Sequence, residues 1–110
     1  MEKIFDKEKA ISFVDNDEEL LKILLKSFLD TEFSVETLNN LIANRKLVEA
    51  ASYVHRIKGA ARQLAMETLA SSGQALEDVL RGKKTGDLKT LIETFYSDYE
   101  KTVQSVKVAF

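Results

Sequence analysis

The hydrophobic positions of the 110-residue chain recur every three or four residues over most of its length, which is the spacing of one buried helical face. The clearest segment is about 46–66, where leucine, valine, isoleucine and alanine form a single stripe. The same spacing is found over 18–43, 69–80 and 88–110. The alternation that indicates a β-strand is found nowhere. We therefore predict an all-α protein.

The polar stretches between these segments predict where the helices begin. Residues 15–17 supply a turn and an N-cap, and the acidic residues after them suit a first helical turn. From there we expect one helix to about residue 43, with a bend allowed at 31–33.

The other connections are also short. Residues 44–46 and the glycine-containing stretch 81–87 separate the later helices, and a short helix over about 6–14 precedes them all. Because short loops make sequential helices antiparallel, we predict an antiparallel up-down-up-down four-helix bundle with a short additional N-terminal helix. All of residues 1–110 are expected to form one domain.

The composition narrows the class of protein. A net charge of −2 lacks the basic excess of nucleic-acid binding proteins, and the absence of cysteine rules out disulfide and thiolate chemistry. No apolar run is long enough to span a membrane, and the N-terminus has no signal-peptide core. We expect a cytoplasmic monomer without a nucleic-acid or membrane partner.

The one histidine, His55, lies within the 46–66 segment but away from its hydrophobic stripe. Residues three, four and seven positions apart share a helix face, so Lys58, Gly59 and Arg62 are its neighbours. A glycine inside a helix costs about 1 kcal/mol relative to alanine, and the hydrophobic pattern continues beyond Gly59. The glycine would allow the close approach of a neighbouring helix or, as we favour, of a partner molecule that reaches His55.

Several chemistries could use such a residue. A lone histidine on a helix is most often a surface residue with no special role, and lysine and arginine usually form a solvated face. Metal binding is not expected without a second histidine or a cysteine. The composition would permit a Ser-His-Asp triad, but no nucleophile elbow accompanies the histidine. Phosphoryl transfer fits best, because neutral imidazole has a nucleophilic nitrogen and nearby cations bind phosphoryl oxygens.

The segment HRIKGAARQLAMETLASSGQALE, residues 55–77, resembles the signature of histidine-containing phosphotransfer (HPt) domains. That signature has a histidine, a lysine three on, a glycine four on, small residues next, an apolar residue nine on and a later Leu-Glu pair. The matching positions are His55, Lys58, Gly59, Ala60, Ala61, Leu64, Leu76 and Glu77. The lengths and order of the predicted helices also match the bundle of this family.

Two positions depart from the family pattern at the end of the signature helix. Ala65 stands where the family usually has glycine, and Met66 stands where a small residue is usual. The expected effect is a longer last turn or altered packing, away from His55.

The resemblance implies a carrier without turnover of its own. His55 would accept a phosphoryl group from a kinase or from the aspartate of a receiver domain and pass it to another receiver. Lys58 would steady the phosphoryl oxygens, and Gly59 would let the receiver close over the ring. A polar residue eight on from the histidine often hydrogen-bonds its other nitrogen, which implies Gln63 here and leaves Nε2 reactive. The chain would need no cofactor, because Mg²⁺ would belong to the receiver.

The expected partner is a response-regulator receiver domain, a hybrid histidine kinase, or both. Ser52, Arg56 and Arg62 are predicted to contact it, with Arg62 docking an acidic face. No ATP-binding loop of the GxxxxGK[ST] or GxGxxG type is present, so the phosphoryl donor would be another protein.

Two alternatives keep the fold and change the function. The chain could be the phosphoacceptor domain of a chemotaxis-type histidine kinase, which would require an ATP-binding domain in the same protein. It could also be a non-catalytic helical-bundle interaction module, in which case a change at His55 would leave partner binding intact.

Overall fold

The computed structural model describes residues 3–109, and these form six α-helices without a β-strand. The helices are α1 (Lys7–Phe13), α2 (Glu18–Asp30), α3 (Val35–Ala43), α4 (Leu47–Gln63), α5 (Glu67–Leu80) and α6 (Leu88–Ala109). The all-α prediction is confirmed, while the strict up-down order of four helices stays a prediction. Within the described range, no helix has the length and apolar character needed to cross a membrane.

Side-chain caps start the first three helices. The carboxylate of Asp17 accepts a hydrogen bond from the backbone N–H of Leu20 at 3.1 Å, as the sequence predicts for the start of α2. Asp6 caps α1 and Ser34 caps α3 in the same way. Each cap satisfies a backbone donor that would otherwise lack an intrahelical partner.

The prediction of one helix over 18–43 is wrong, because the chain leaves the helical conformation between α2 and α3. Phe33, in this break, is 7% exposed and packs against the ring of Phe95 with centroids 5.0 Å apart, and against that of Tyr53 at 5.6 Å. The backbone N–H of Ser34 also donates a hydrogen bond to the Tyr53 hydroxyl at 2.8 Å. Burying an aromatic ring and capping a new helix together outweigh continuing the helix.

The signature helix ends at Gln63, three residues before the predicted limit of 66. Ala65 adopts a left-handed conformation with φ of 56°, and the backbone N–H of Met66 donates to the carbonyl of Ala61 at 2.9 Å. This is a Schellman-type end, in which glycine is favoured because it has no Cβ to clash. The alanine therefore does not lengthen the helix; it occupies the turn at some conformational cost.

Helix α4 packs on α5, and its buried face includes three small residues. Ala50, Ala51 and Ala61 are all fully buried. The centre of the core is formed by larger buried side chains, namely Leu21, Leu38, Val54, Met66, Leu69, Leu76, Phe95 and Val106. The close packing brings polar side chains on the outer edges of α4 and α5 within hydrogen-bonding distance of each other.

Candidate functional site

Six of the seven residues predicted to form the site lie along one solvent-facing side of α4. Ser52, His55, Arg56, Arg62 and Gln63 are exposed, and Gly59 is half-buried. The imidazole of His55 keeps 57% of its side-chain surface exposed, which leaves it open to a partner. The exception is Lys58, which is only 4% exposed.

The Nδ1 atom of His55 lies 3.1 Å from both carboxylate oxygens of Glu77 on α5. An ionised carboxylate has only acceptors, so the proton between the two groups belongs to Nδ1. In the neutral ring the lone pair is then on Nε2.

Glu77 is 5% exposed and is held by three donors. Lys58 Nζ lies 2.7 Å from its Oε1, and Arg81 Nε lies 2.7 Å from its Oε2. Burial by itself would raise the pKa of the Glu77 carboxyl, but hydrogen bonds from Lys58, Arg81 and His55 outweigh burial and lower the pKa to about 2. Glu77 is therefore ionised at neutral pH, as the assignment of the proton to Nδ1 requires.

A second layer of hydrogen bonds surrounds the amide of Gln74. Its Oε1 accepts from Lys58 Nζ at 3.0 Å and from Arg62 Nη2 at 2.8 Å, and its Nε2 donates to Asp78 at 2.8 Å. No buried side-chain nitrogen or oxygen in residues 3–109 lacks a hydrogen-bond partner. The buried polar atoms of the cluster are thus all hydrogen-bonded, which rigidifies it.

The prediction that Lys58 shares the exposed face with His55 is wrong. Its position lies nearer the buried stripe than that of His55, and α5 offers it a carboxylate and an amide from Glu77 and Gln74. A buried ammonium is tolerated only when it is paired and hydrogen-bonded, and both conditions are met here.

The hydrogen-bond partner of the imidazole is Glu77 and not, as the resemblance had implied, Gln63. Eight residues along a helix span about 12 Å, which places Gln63 beyond reach of His55. The signal that could have identified the partner was available, because Glu77 shares a helical stripe with the buried Gly73, Leu76 and Leu80. A carboxylate on an apolar stripe requires a cationic or donor partner from the neighbouring helix.

Two glycines near the site have different environments. A Cβ added to Gly59 would meet no atom within 4 Å, so no neighbouring helix requires this glycine. A Cβ added to Gly73 would lie 3.0 Å from Cε1 of Phe95 and 3.2 Å from Cβ of Lys58. Gly73 is needed for helix packing, whereas the empty space at Gly59 faces outward.

A groove of about 360 Å³ separates α2 from α4 beside the exposed side of α4. Leu24 and Phe28 form part of its apolar wall, and Arg56 and Gln63 contribute polar groups. The guanidinium of Arg56 lies 5.9 Å from the ring centroid of Tyr53, within range of a cation–π contact.

Comparison with protein-family models identifies the Hpt domain over residues 15–107, which include helices α2 to α5 and most of α6. The chain therefore belongs to the Hpt domain family, and the resemblance noted from residues 55–77 is confirmed. Comparisons with curated proteins and with solved structures gave no match. Hpt domains are phosphotransfer modules of two-component signalling that carry a phosphoryl group, and this chain is such a module by family.

Proposed function

We propose that His55 is the phosphoacceptor and that it exchanges a phosphoryl group with the aspartate of response-regulator receiver domains. The observation that carries the proposal is the hydrogen bond from Nδ1 to Glu77, which leaves a lone pair on the solvent-facing Nε2. His55 is also the one histidine of the chain, so no second imidazole competes for the role.

In the proposed step, the Nε2 lone pair attacks the phosphorus of the receiver's aspartyl phosphate. The bond between phosphorus and the aspartyl oxygen breaks, and its electron pair returns to the receiver carboxylate. The imidazole becomes a positively charged phosphoimidazolium whose Nδ1 proton stays hydrogen-bonded to Glu77. Transfer to a second receiver reverses the sequence of bond changes.

Each residue around His55 has a separate role in the proposed transfer. Glu77 fixes the orientation and tautomer of the ring, in the manner of a carboxylate that orients a histidine ligand. Lys58 holds Glu77 from below, and the open space over Gly59 allows the receiver's active site to approach. The Mg²⁺ ion that neutralises charge during in-line transfer is expected from the receiver.

The docking surface in this proposal is the exposed side of α4 with the adjoining α2–α4 groove. Ser52, Arg56 and Arg62 present polar and cationic groups, while Leu20 and Ile23 of α2 are 40% and 63% exposed. Transient signalling complexes have small interfaces of mixed character, which this surface could supply. We propose that the domain acts as a monomer in the cytoplasm, where receivers and ATP-dependent kinases meet it.

The test is phosphoryl transfer from a pre-phosphorylated receiver domain with Mg²⁺ to the wild-type chain and to His55→Gln. We expect label on the wild type alone, labile to acid and stable to base. Label on neither chain across a panel of receivers would favour the interaction module, and equal label on both would exclude His55. Uptake from a chemotaxis-type kinase core, but from no receiver, would favour the kinase-domain alternative.

A further inference from the structure

Of the cations near His55, three make side-chain hydrogen bonds or ion pairs, and they differ in how many of their donors these partners use. Lys58 is buried, and its ammonium is bound by both Glu77 and Gln74. Arg62 is exposed but donates to Gln74, two helical turns along α4 from His55. Arg81 keeps 31% of its side-chain surface exposed and donates through Nε to Glu77. Its two terminal nitrogens have no hydrogen-bond acceptor among residues 3–109.

Arg81 is also close to the imidazole. Arg81 Nε and His55 Nδ1 lie 2.7 and 3.1 Å from the same oxygen, Oε2 of Glu77, so these two nitrogens are within about 6 Å of each other. The guanidinium therefore has a fixed anchor beside the ring and free donors at its other end.

We propose that Arg81, rather than Lys58, is the cation that binds the phosphoryl group on His55. The inference rests on the proposed phosphoacceptor function and adds a residue that the sequence motif does not contain. A guanidinium presents its donors as a planar fork that suits phosphoryl oxygens, and Arg81 can supply this fork while Nε stays on Glu77. Lys58 already donates to two buried acceptors, so it has one donor left, and only 5% of its side chain is exposed to a group outside the protein.

The charges near the ring favour this assignment. The unmodified site has Lys58 and Arg81 against Glu77, which is an excess of one positive charge. The phosphoryl group brings up to two negative charges to Nε2, so a cation beside it with free donors offsets the added charge. Arg81 is an exposed cation that is joined to the imidazole through the shared Glu77 oxygen.

The experiment uses phosphoramidate, a small donor, so that no receiver is required. Nε2 attacks the phosphorus, the P–N bond of phosphoramidate breaks, and ammonia leaves with the electron pair of that bond. The phosphorylated ring keeps its Nδ1 proton. The 110-residue chain is labelled with ¹⁵N, and the arginine guanidinium signals and the ³¹P signal are recorded by NMR before and after reaction, with His55→Gln as the blank.

We expect phosphorylation to shift the Arg81 guanidinium signals, and we expect the ³¹P titration midpoint to respond to the charge at position 81. In Arg81→Gln the midpoint for the last ionisation of the phosphoryl group should rise by on the order of half a pH unit. Arg81→Lys, which keeps the charge without the fork, should lie between that variant and the wild type. Lys84→Gln is the matched control, because Lys84 pairs with Asp78 at 3.6 Å and has 72% of its side chain exposed.

Unchanged guanidinium signals together with a wild-type midpoint in Arg81→Gln would overturn the role of Arg81. An equal rise in Lys84→Gln would also overturn it, since that result would reflect general surface charge. If phosphoramidate leaves His55 unmodified, both this inference and the proposed function fail. Normal chemical phosphorylation with an Arg81 response, but no transfer from any receiver, would contradict the proposed function alone.

Discussion

His55 and Lys58, three residues apart on α4, hydrogen-bond the same oxygen of Glu77, one from the exposed side of the helix and the other from its buried side. The imidazole is largely exposed and reaches Oε1 at 3.1 Å, whereas the ammonium is buried and reaches it at 2.7 Å. The pair couples a reactive solvent-facing ring to a charge held inside the helix packing. Changes at Glu77 should therefore affect both reactivity and stability.

The first prediction concerns Glu77→Gln. The amide cannot serve as a full carboxylate for Lys58, Arg81 and His55, so the ring loses its fixed orientation. We expect initial phosphoryl uptake to fall by roughly 10- to 100-fold, by analogy with the loss of the orienting carboxylate of a metal-binding histidine. The measurement is the initial rate of label transfer from a phosphorylated receiver.

Glu67→Gln provides the matched control for this change on the same helix. Glu67 pairs with Lys9 at 3.7 Å near the surface, and such pairs contribute less than about 1 kcal/mol. Uptake should stay at the wild-type rate. An equal loss in both variants would mean that α5 tolerates no carboxylate change and that Glu77 has no special role.

The second prediction uses the two glycines as a pair. Gly59→Ala should stabilise the chain by up to about 1 kcal/mol, because alanine favours a helix interior and the site has room for Cβ. Phosphoryl transfer should nevertheless slow, since the added methyl group would stand where we propose that the receiver approaches. The two measurements are urea unfolding and the transfer rate.

Gly73→Ala should behave in the opposite way. Its Cβ would press on Phe95 and on Lys58, so we expect a loss of about 1–3 kcal/mol in the free energy of unfolding. If Gly59→Ala proved faster in transfer than the wild type, the partner-approach role of Gly59 would be wrong.

The third prediction is a pH dependence of stability. The pKa of Glu77 is about 2 in the folded chain against 4.5 for the ordinary side chain, so its ionised form stabilises the fold. This contribution, on the order of 3 kcal/mol, is fully present above about pH 5 and is lost as the pH falls towards 2. Urea unfolding at a series of acidic pH values measures it.

Other carboxylates also titrate in this range, so the comparison with Glu77→Gln isolates the effect. The variant should lose less stability between pH 5 and pH 2 than the wild type does. Parallel curves for the two proteins would show that the carboxylate is not stabilised by its three donors.

The fourth prediction tests the break between α2 and α3. Phe33→Ala removes a buried ring that contacts Phe95 and Tyr53, and we expect a loss of about 3–5 kcal/mol. Phe13→Ala is the control, because Phe13 is 51% exposed and its truncation should cost far less. Similar losses in thermal unfolding would contradict the anchoring role of Phe33.

The helical content and the position of His55 follow from local patterns, because periodicity and spacing within one helix are readable from the sequence. The break at Phe33 is not local. Its cause is a set of aromatic rings on α4 and α6, and no feature of residues 18–43 alone gives their location. In a continuous helix Phe33 would lie about 140° around the axis from Phe28, off the hydrophobic stripe, which indicates a bend but does not identify the rings that bury it.

The same distinction between patterns within one helix and contacts between helices explains which site residues could be predicted. The exposed side of α4 was predictable, since Ser52 and Arg62 are three and seven residues from His55, which is close to one and two helical turns. The hydrogen-bond partner of the imidazole was not predictable, because Glu77 reaches the ring from a different helix. The family pattern suggested Gln63 on the same helix, and only the packing of α4 against α5 identifies the carboxylate.

The hydrogen bonds that join α4 to α5 have a further consequence for the motions of the chain. Glu77 and Gln74 of α5 tie down Lys58, His55 and Arg62 of α4 by direct contacts. We expect these two helices to open least often, so their backbone amides should exchange with deuterated solvent most slowly. Phosphoryl transfer would then take place on the most stable part of the fold. In a destabilised chain the other helices would unfold before the α4–α5 pair that holds His55.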